Sequence, residues 1–176
     1  MQEFHDSYRY TTNPIAFIDL NGLAEHVAMF SAYSFQNSTE NALYNNIELP
    51  MDALKNQFAD AGSSFDYEMN FSDFYLELAI KDNPDMTDLY ILAHGDVTGA
   101  PGLLGDNGEY VNAQKFKTAF GDKNINVHIY SCAQKGANWP SNFDTQGSDV
   151  GGTNSVDLLP NMKMDLNNAV AAEKVK

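Results

Sequence analysis

The chain has 176 residues, of which 43% are hydrophobic and 12% aromatic, so the composition excludes a disordered chain and predicts a globular domain with a sizeable core. Its formal net charge of −14 argues against nucleic acid or an anionic membrane as a partner, because their phosphates would be repelled. The single cysteine excludes an internal disulfide and a four-cysteine metal site.

The first residues of the chain contain no apolar segment typical of a signal peptide. No run approaches the roughly 18 apolar residues of a membrane helix, and we expect no membrane association. The compartment stays open between the cytoplasm and a domain excised from a larger secreted protein. The oligomeric state cannot be derived from these features.

The first predicted elements are a strand and a helix. Residues 14–20, "PIAFIDL", form a compact apolar run between turn residues, which predicts a buried strand. Leu23, Val27 and Phe30 then fall at i, i+4 and i+7, which predicts one face of a helix. That helix would place His26 on its surface.

The next segment alternates between polar and periodic stretches. Residues 36–49 are polar and rich in asparagine, which predicts a loop, and a helix is predicted over 51–59. Alternating large apolar side chains over 65–71 indicate a strand. The stretch 72–81 then predicts a helix, and the run 88–93 predicts a buried strand that ends at a histidine.

In the predicted helix over 72–81, Phe74 and Leu78 would form the inner face. After the histidine, apolar pairs on either side of "GDNG" predict a short hairpin over 103–111. A helix over 113–120 and a strand over 125–131 follow.

The end of the chain reads as loop over 133–157 and as weakly helical from about residue 158. Strands that alternate with helices predict an α/β fold with a mainly parallel sheet and helices on both faces, a three-layer α/β/α sandwich. We expect one domain over residues 1–176, with its core over about 14–136 and a loop-rich tail over 137–176.

Two reactive residues end two of the predicted strands. His94 follows "LYILA" and Cys132 follows "VHIYS". Binding sites in open parallel sheets form at the carboxyl ends of the strands, and neighbouring strands lie about 5 Å apart. If these strands are neighbours, an imidazole and a thiol share one edge, which is the arrangement that nucleophilic thiol catalysis requires.

Small residues accompany both groups. Gly95 lets the backbone approach a ligand, and its amide and that of Cys132 are natural donors to an oxyanion. Ser131 leaves room around the thiol, and Gly136 allows a tight turn after it. We therefore predict a substrate-binding edge made of these residues.

The segments "LYILAHG" and "IYSCAQKG" resemble the caspase-like (clan CD) cysteine peptidases, with gingipain and clostripain as the nearest parallels because they carry Cys-x-x-Gly. The resemblance covers about residues 14–136. It implies a caspase-like fold, His94 as general acid, Cys132 as nucleophile, and the amides of Gly95 and Cys132 as the oxyanion hole. It also implies a peptide or protein substrate and no cofactor.

The sequence departs from the family in two places. Tyr130 stands where the family often has an acidic residue or glutamine, and the segment after Cys132 is short. The pattern also resembles a caspase-like domain of large bacterial surface proteins. Two functions therefore stay open: a cysteine endopeptidase, with self-processing as one form of its activity, and a catalytically inactive domain that binds a partner.

The segment 105–110, "GDNGEY", offers oxygen ligands that could bind calcium. It lacks the spacing of an EF-hand loop, and a hairpin turn is the better interpretation. We therefore predict no metal site and no cofactor.

Overall fold

A five-stranded sheet lies at the centre of the computed structural model, which describes residues 25–95, 102–132, 138–147 and 155–176. The strands are β1 (His26–Phe30), β2 (Phe65–Glu68), β3 (Asp88–Leu92), β4 (Leu103–Leu104), β5 (Tyr110–Val111), β6 (Asn126–Tyr130) and β7 (Phe143–Gln146). The α-helices are α1 (Glu40–Leu43), α2 (Leu49–Asp60), α3 (Asp73–Asp82), α4 (Ala113–Phe120) and α5 (Leu159–Glu173). Short 3-10 helices span Ala32–Phe35 and Ser155–Leu158, and a π-helical segment, Tyr44–Glu48, joins α1 to α2.

The strand order in the sheet is β2-β1-β3-β6-β7, and every neighbouring pair is parallel. β4 and β5 form a separate antiparallel hairpin. The chain adds β2 on one side of β1 and then β3 on the other side. Because such crossovers are right-handed, this reversal sends the connecting helices to opposite faces. The predicted α/β class with a parallel sheet and helices on both faces is confirmed, and so is the pairing of the strands that end near His94 and Cys132.

Each face of the sheet has its own apolar core, because successive side chains of a strand point to opposite faces. One core joins Val27 and Met29 of β1 to α3 and α4, whose buried contributions include Leu76, Ile80, Phe116 and Phe120. The other core joins Ala28 and Phe30 of β1 to α2 and α5, whose buried contributions include Leu54, Phe58, Met162, Leu166 and Val170. Every residue of β1 is buried.

The helix predicted from Leu23, Val27 and Phe30 is wrong, because residues 26–30 form β1. A central strand covered on both faces is apolar without alternation, and such a run can match helical spacing by coincidence. His26 is consequently not on a helix surface but 4% exposed within the sheet. Leu23 and the strand predicted over 14–20 lie outside the described residues.

The loop predicted over 36–49 is also wrong from Glu40 onward, because helical structure runs from Glu40 to Asp60. Asparagine has a low helix propensity, and the polar residues here are on the exposed side. The buried side carries Leu43, Ile47, Met51, Leu54 and Phe58, one apolar stripe that packs on the sheet. Tertiary packing therefore outweighs local propensity in this segment.

The remaining predicted elements agree with the structure in type, with three differences. Phe74 and Leu78 are on the exposed side of α3, at 64% and 36% exposure, and Leu76 and Ile80 face the core instead. The predicted loop over 133–157 contains β7, which pairs with β6. The weak helix predicted after residue 158 is α5, a 15-residue helix whose apolar side is buried.

Within the described ranges, every helix is too short or too polar to cross a bilayer.

Candidate functional site at the carboxyl edge of the sheet

His94 and Cys132 leave neighbouring strands at the same edge of the sheet. β3 and β6 pair in register up to Leu92 and Tyr130, and the Ala93 amide donates to the Tyr130 carbonyl at 3.3 Å. His94 and Cys132 each stand two positions beyond the last register pair. The backbone therefore brings the two residues to one edge, as the sequence predicts from the strand ends.

The imidazole of His94 has a defined orientation. Its Nε2 lies 3.2 Å from the Tyr33 carbonyl, and its Nδ1 lies 3.3 Å from Ser155 Oγ. Because a carbonyl only accepts, Nε2 carries the hydrogen of that contact. Ser155 Oγ is also 2.9 Å from Ser34 Oγ, so a chain of two hydroxyls extends from the ring into the buried interior. These contacts hold the ring between the two 3-10 helices.

The thiol of Cys132 is 6% exposed, and therefore buried. Its neighbour Ser131 is fully buried, donates its amide to the Gln146 carbonyl at 3.0 Å, and has its hydroxyl 3.2 Å from the Cys132 carbonyl. Strand β7 thus extends the sheet beyond β6 and fixes the backbone that leads into the cysteine.

Gly147, directly after β7, allows the chain to lie close to Ser131. Its φ is +136°, in the region that favours glycine, and a Cβ placed there would lie 1.9 Å from the Ser131 carbonyl oxygen. No side chain fits in that space. The approach of β7 to the residue before the thiol therefore depends on a glycine.

The β4–β5 hairpin covers the carboxyl ends of the other strands. Gly95 forms an antiparallel bridge with Leu103, and the Leu104 amide donates to the His94 carbonyl at 2.7 Å. The sequence predicts that the Gly95 amide is a donor of an oxyanion hole. In the structure, Gly95 follows His94 and forms the bridge to the hairpin.

Asp106, in the turn of that hairpin, fastens the hairpin to the sheet. One carboxylate oxygen accepts from Ser31 Oγ at 2.9 Å and from the Ala32 amide at 2.8 Å, and the other accepts from the Phe71 amide at 2.8 Å. Burial raises the pKa of Asp106 despite these hydrogen bonds. The segment 105–110, considered above as a possible calcium site, contains the hairpin turn, and its Asp106 accepts hydrogen bonds from protein donors.

Four of the five predicted site residues, His94, Gly95, Ser131 and Cys132, meet at this carboxyl edge. Gly136 lies outside the described residues. Ser34, Tyr33 and Ser155 were not predicted as neighbours of the histidine. Their contacts depend on where the 3-10 helices lie, and no local sequence pattern specifies that position.

The opposite, amino edge of the sheet holds a second polar cluster that the sequence analysis missed. Asp88 begins β3, and its carboxylate lies near His26 and His128 of the flanking strands. Burial raises the pKa of Asp88, but hydrogen bonds from His128, Thr87 and Asn126 and the charge of His26 outweigh burial and lower it to about 2. The sequence signal for this cluster is that polar residues lie at or near the start of consecutive parallel strands.

Two of the cavities formed by described residues border α5. One, of about 420 Å³, lies at the amino edge between the sheet and α5, with His26, Asp88, His128 and Glu173 in its wall. The other, of about 250 Å³, lies between the helical segment before α2 and the start of α5, next to Phe35 and Val156. Neither of these two cavities has His94 or Cys132 in its wall.

Comparison with protein-family models, with curated proteins and with solved structures finds no match to this chain.

Proposed function

We propose that this chain is a cysteine endopeptidase in which Cys132 is the nucleophile and His94 the general acid. The observation that carries the proposal is the in-register parallel pairing of β3 with β6, which delivers both residues to one edge. A peptide across that edge would meet an imidazole and a thiol from adjacent strands. The resemblance of "LYILAHG" and "IYSCAQKG" to clan CD peptidases supports the same roles.

In the proposed reaction, the Cys132 thiol passes its proton to the His94 imidazole, and the resulting thiolate attacks the scissile carbonyl carbon and forms a C–S bond. The oxyanion accepts hydrogen bonds from the amides of Gly95 and Cys132. When the C–N bond breaks, His94 Nε2 transfers its proton to the leaving amine. Water then cleaves the thioester, which releases the new carboxylate and regenerates the thiol.

The ring contacts of His94 suit this role in one respect and restrict it in another. Ser155 and Ser34 offer a hydroxyl path by which Nδ1 can exchange a proton with its surroundings. The hydrogen on Nε2 is directed at the Tyr33 carbonyl, so substrate must replace that contact before proton transfer. The net charge of −14 favours cationic peptides as substrates.

The second candidate function is a non-catalytic domain that binds a partner. It is favoured by the 6% exposure of Cys132 and by internal partners at both ring nitrogens of His94. The cavity of about 250 Å³ beside Val156 and Phe35 adjoins the residues that hold the imidazole. A domain that kept the fold and lost the chemistry would retain these features.

Alkylation separates the two candidates, because Cys132 is the only cysteine and every label reports on it. For a peptidase we expect native protein to react with iodoacetamide faster than free cysteine, because the thiolate is the reacting form of an activated thiol. His94→Gln should abolish this excess rate. His128→Gln, a histidine at the opposite edge of the same sheet, is the matched control and should leave it unchanged.

Cleavage of a basic and a mixed-sequence peptide library is the accompanying assay. Cys132→Ala should reduce cleavage by at least about 1,000-fold without changing the urea midpoint by more than a small amount. A thiol that reacts only in denaturant, together with no cleavage of either library, would contradict the peptidase and support the binding domain.

A further inference from the structure

His26 is a buried imidazole without a hydrogen-bond partner. It is 4% exposed, and neither Nδ1 nor Nε2 makes a hydrogen bond with any described residue. Phe58 covers one side of the ring at a centroid distance of 4.6 Å. A buried polar group normally finds a partner, because leaving it unpaired costs the full free energy of its desolvation. This ring therefore needs an explanation.

Carboxylates surround both ring nitrogens. Nε2 lies 3.4 Å from Glu173 Oε1, at the end of α5, and Nδ1 lies 3.7 Å from Asp88 Oδ2. Glu25, one residue before His26, brings a third carboxylate to the group. Ligand atoms of Glu25, His26 and Glu173 all lie within 4.8 Å of one another.

We propose that Glu25, His26 and Glu173 bind a divalent transition-metal ion, with Zn²⁺ as the ion whose chemistry they fit best. Zn²⁺ is bound by imidazole nitrogens and carboxylate oxygens, with metal–ligand bonds of about 2.0–2.2 Å, and three protein ligands can leave a fourth position for water. Two ligands of a tetrahedral site with such bonds are about 3.4 Å apart. The separation of His26 Nε2 from Glu173 Oε1 is 3.4 Å, so a small movement of Glu25 completes the set.

The surroundings of the ligands support this assignment. A histidine that binds a metal through one nitrogen usually presents the other to a carboxylate. Asp88 lies on the Nδ1 side of His26 and is in turn held by Asn126 and Thr87. Ser63 Oγ donates to Glu25 Oε2 at 2.7 Å, which orients the second ligand.

The site also has an entry path and an open position. The cavity of about 420 Å³ at the amino edge includes His26 and Glu173 in its wall, so an ion can enter from solvent and a water can complete its coordination. The ligands come from the start of β1 and the end of α5. A bound ion therefore links the end of α5 to the start of β1.

Zinc titration of untagged protein after treatment with EDTA tests this site. The background variant Cys132→Ser removes the thiol, so that binding by Cys132 and His94 does not contribute. We expect one Zn²⁺ per chain by calorimetry and a rise of the melting midpoint with zinc concentration. Glu173→Gln and Glu25→Gln should each weaken binding by at least about tenfold, and each should abolish most of the rise in midpoint.

Glu77→Gln is the matched control, because Glu77 is an exposed glutamate of α3 and its removal changes the net charge equally. It should leave zinc affinity unchanged. Circular dichroism in EDTA verifies that each variant is folded. A third variant, His26→Gln, removes the imidazole ligand; if it does not fold, the two glutamate variants still decide the outcome. The ¹⁵N shift of the His26 ring should change on zinc addition.

Two results would overturn the proposal. The first is a Cys132→Ser protein, with no other change, that binds no zinc in calorimetry. The second is binding that survives both glutamate variants, for example binding that is lost only in His5→Ala. Neither result bears on the peptidase, whose thiol is absent from the background variant.

Discussion

The two edges of the sheet hold partly buried aspartates whose pKa values move in opposite directions. At the carboxyl edge, burial raises the pKa of Asp106, and hydrogen bonds from the Phe71 amide and the Ser31 hydroxyl do not reverse it. At the amino edge, burial acts in the same direction on Asp88, but contacts with His128, Thr87, Asn126 and the charge of His26 lower its pKa to about 2. Hydrogen bonds from neutral donors alone do not offset the effect of burial on the pKa of Asp106. At Asp88, the added imidazoles, which can be cationic, stabilise the carboxylate and lower its pKa.

The difference suits two kinds of chemistry. The carboxyl edge collects a thiol, an imidazole and hydroxyls, with one aspartate used to fasten a hairpin. The amino edge collects carboxylates around imidazoles, which is a ligand set for cations. One sheet thus separates groups suited to nucleophilic chemistry from groups suited to cation binding.

Replacement of Gly147 should break the carboxyl edge and leave the amino edge intact. Gly147→Ala places a Cβ 1.9 Å from the Ser131 carbonyl oxygen, so β7 and the backbone before Cys132 must separate. We expect a loss of unfolding free energy of about 3 kcal/mol or more in urea. Zinc affinity at the amino edge should not change.

Gly62→Ala is the control for that variant. Gly62 also has a positive φ, +79°, but a Cβ there would meet nothing within 4 Å. We expect a loss of only about 1 kcal/mol from backbone strain. Equal losses in the two variants would show that the close approach to Ser131 has no energetic weight.

Acid unfolding should distinguish the two aspartates. The folded-state pKa of Asp88 is below its ordinary value of 3.8, so its contribution is present above about pH 4 and is lost as pH falls toward about 2. We expect this loss to be about 1–2 kcal/mol, because Asp88 is partly solvated. Asp88→Asn should therefore flatten the decline in unfolding free energy over that range.

Asp106→Asn should make the decline in unfolding free energy on acidification steeper. The folded-state pKa of Asp106 is raised, so its contribution is fully present below pH 3.8 and is lost as pH rises through the folded-state pKa. Without this group, the decline on acidification, measured relative to each protein's own value at pH 7, should be steeper. Urea titrations between pH 7 and pH 2 measure how each variant's unfolding free energy declines with pH. If both variants change the wild-type decline in the same direction, the comparison between the two aspartates is wrong.

The smallest effect concerns Lys176, which pairs with Glu173 at the amino edge. Its ammonium group competes with a metal ion for that carboxylate, so Lys176→Ala should strengthen zinc binding by about twofold to fivefold. Lys174→Ala removes the same charge from a neighbouring exposed position and should change zinc affinity less. Equal gains in calorimetry would indicate a general charge effect.

The sequence alone was sufficient for the parts of the fold in which periodicity and burial agree. The run 88–93 and the strand that ends before Cys132 are apolar stretches between turns, and their pairing places His94 and Cys132 at one edge. β1 was mistaken for a helix because burial on both faces removes the alternation that identifies a strand.

Other features depend on contacts between distant segments. β7 is a short polar strand at the edge of the sheet, and only its pairing with β6 identifies it. Ser155 reaches His94 across 61 positions, and Glu173 reaches His26 from the other end of the described chain. No local pattern encodes such contacts, so the amino-edge cluster was missed.

Helix α5 is the last described element, yet it packs on β3 and β6, and its buried side chains share a core with Tyr90 and Tyr130 of those strands. During translation, the part of that face formed by β3 and β6 stays without its covering helix until the ribosome has released α5. The nascent chain therefore carries an unshielded apolar surface until then, and such a species is prone to self-association. Native folding must wait for this long-range closure, and we expect the chain to fold slowly for its size, only once α5 has left the ribosome.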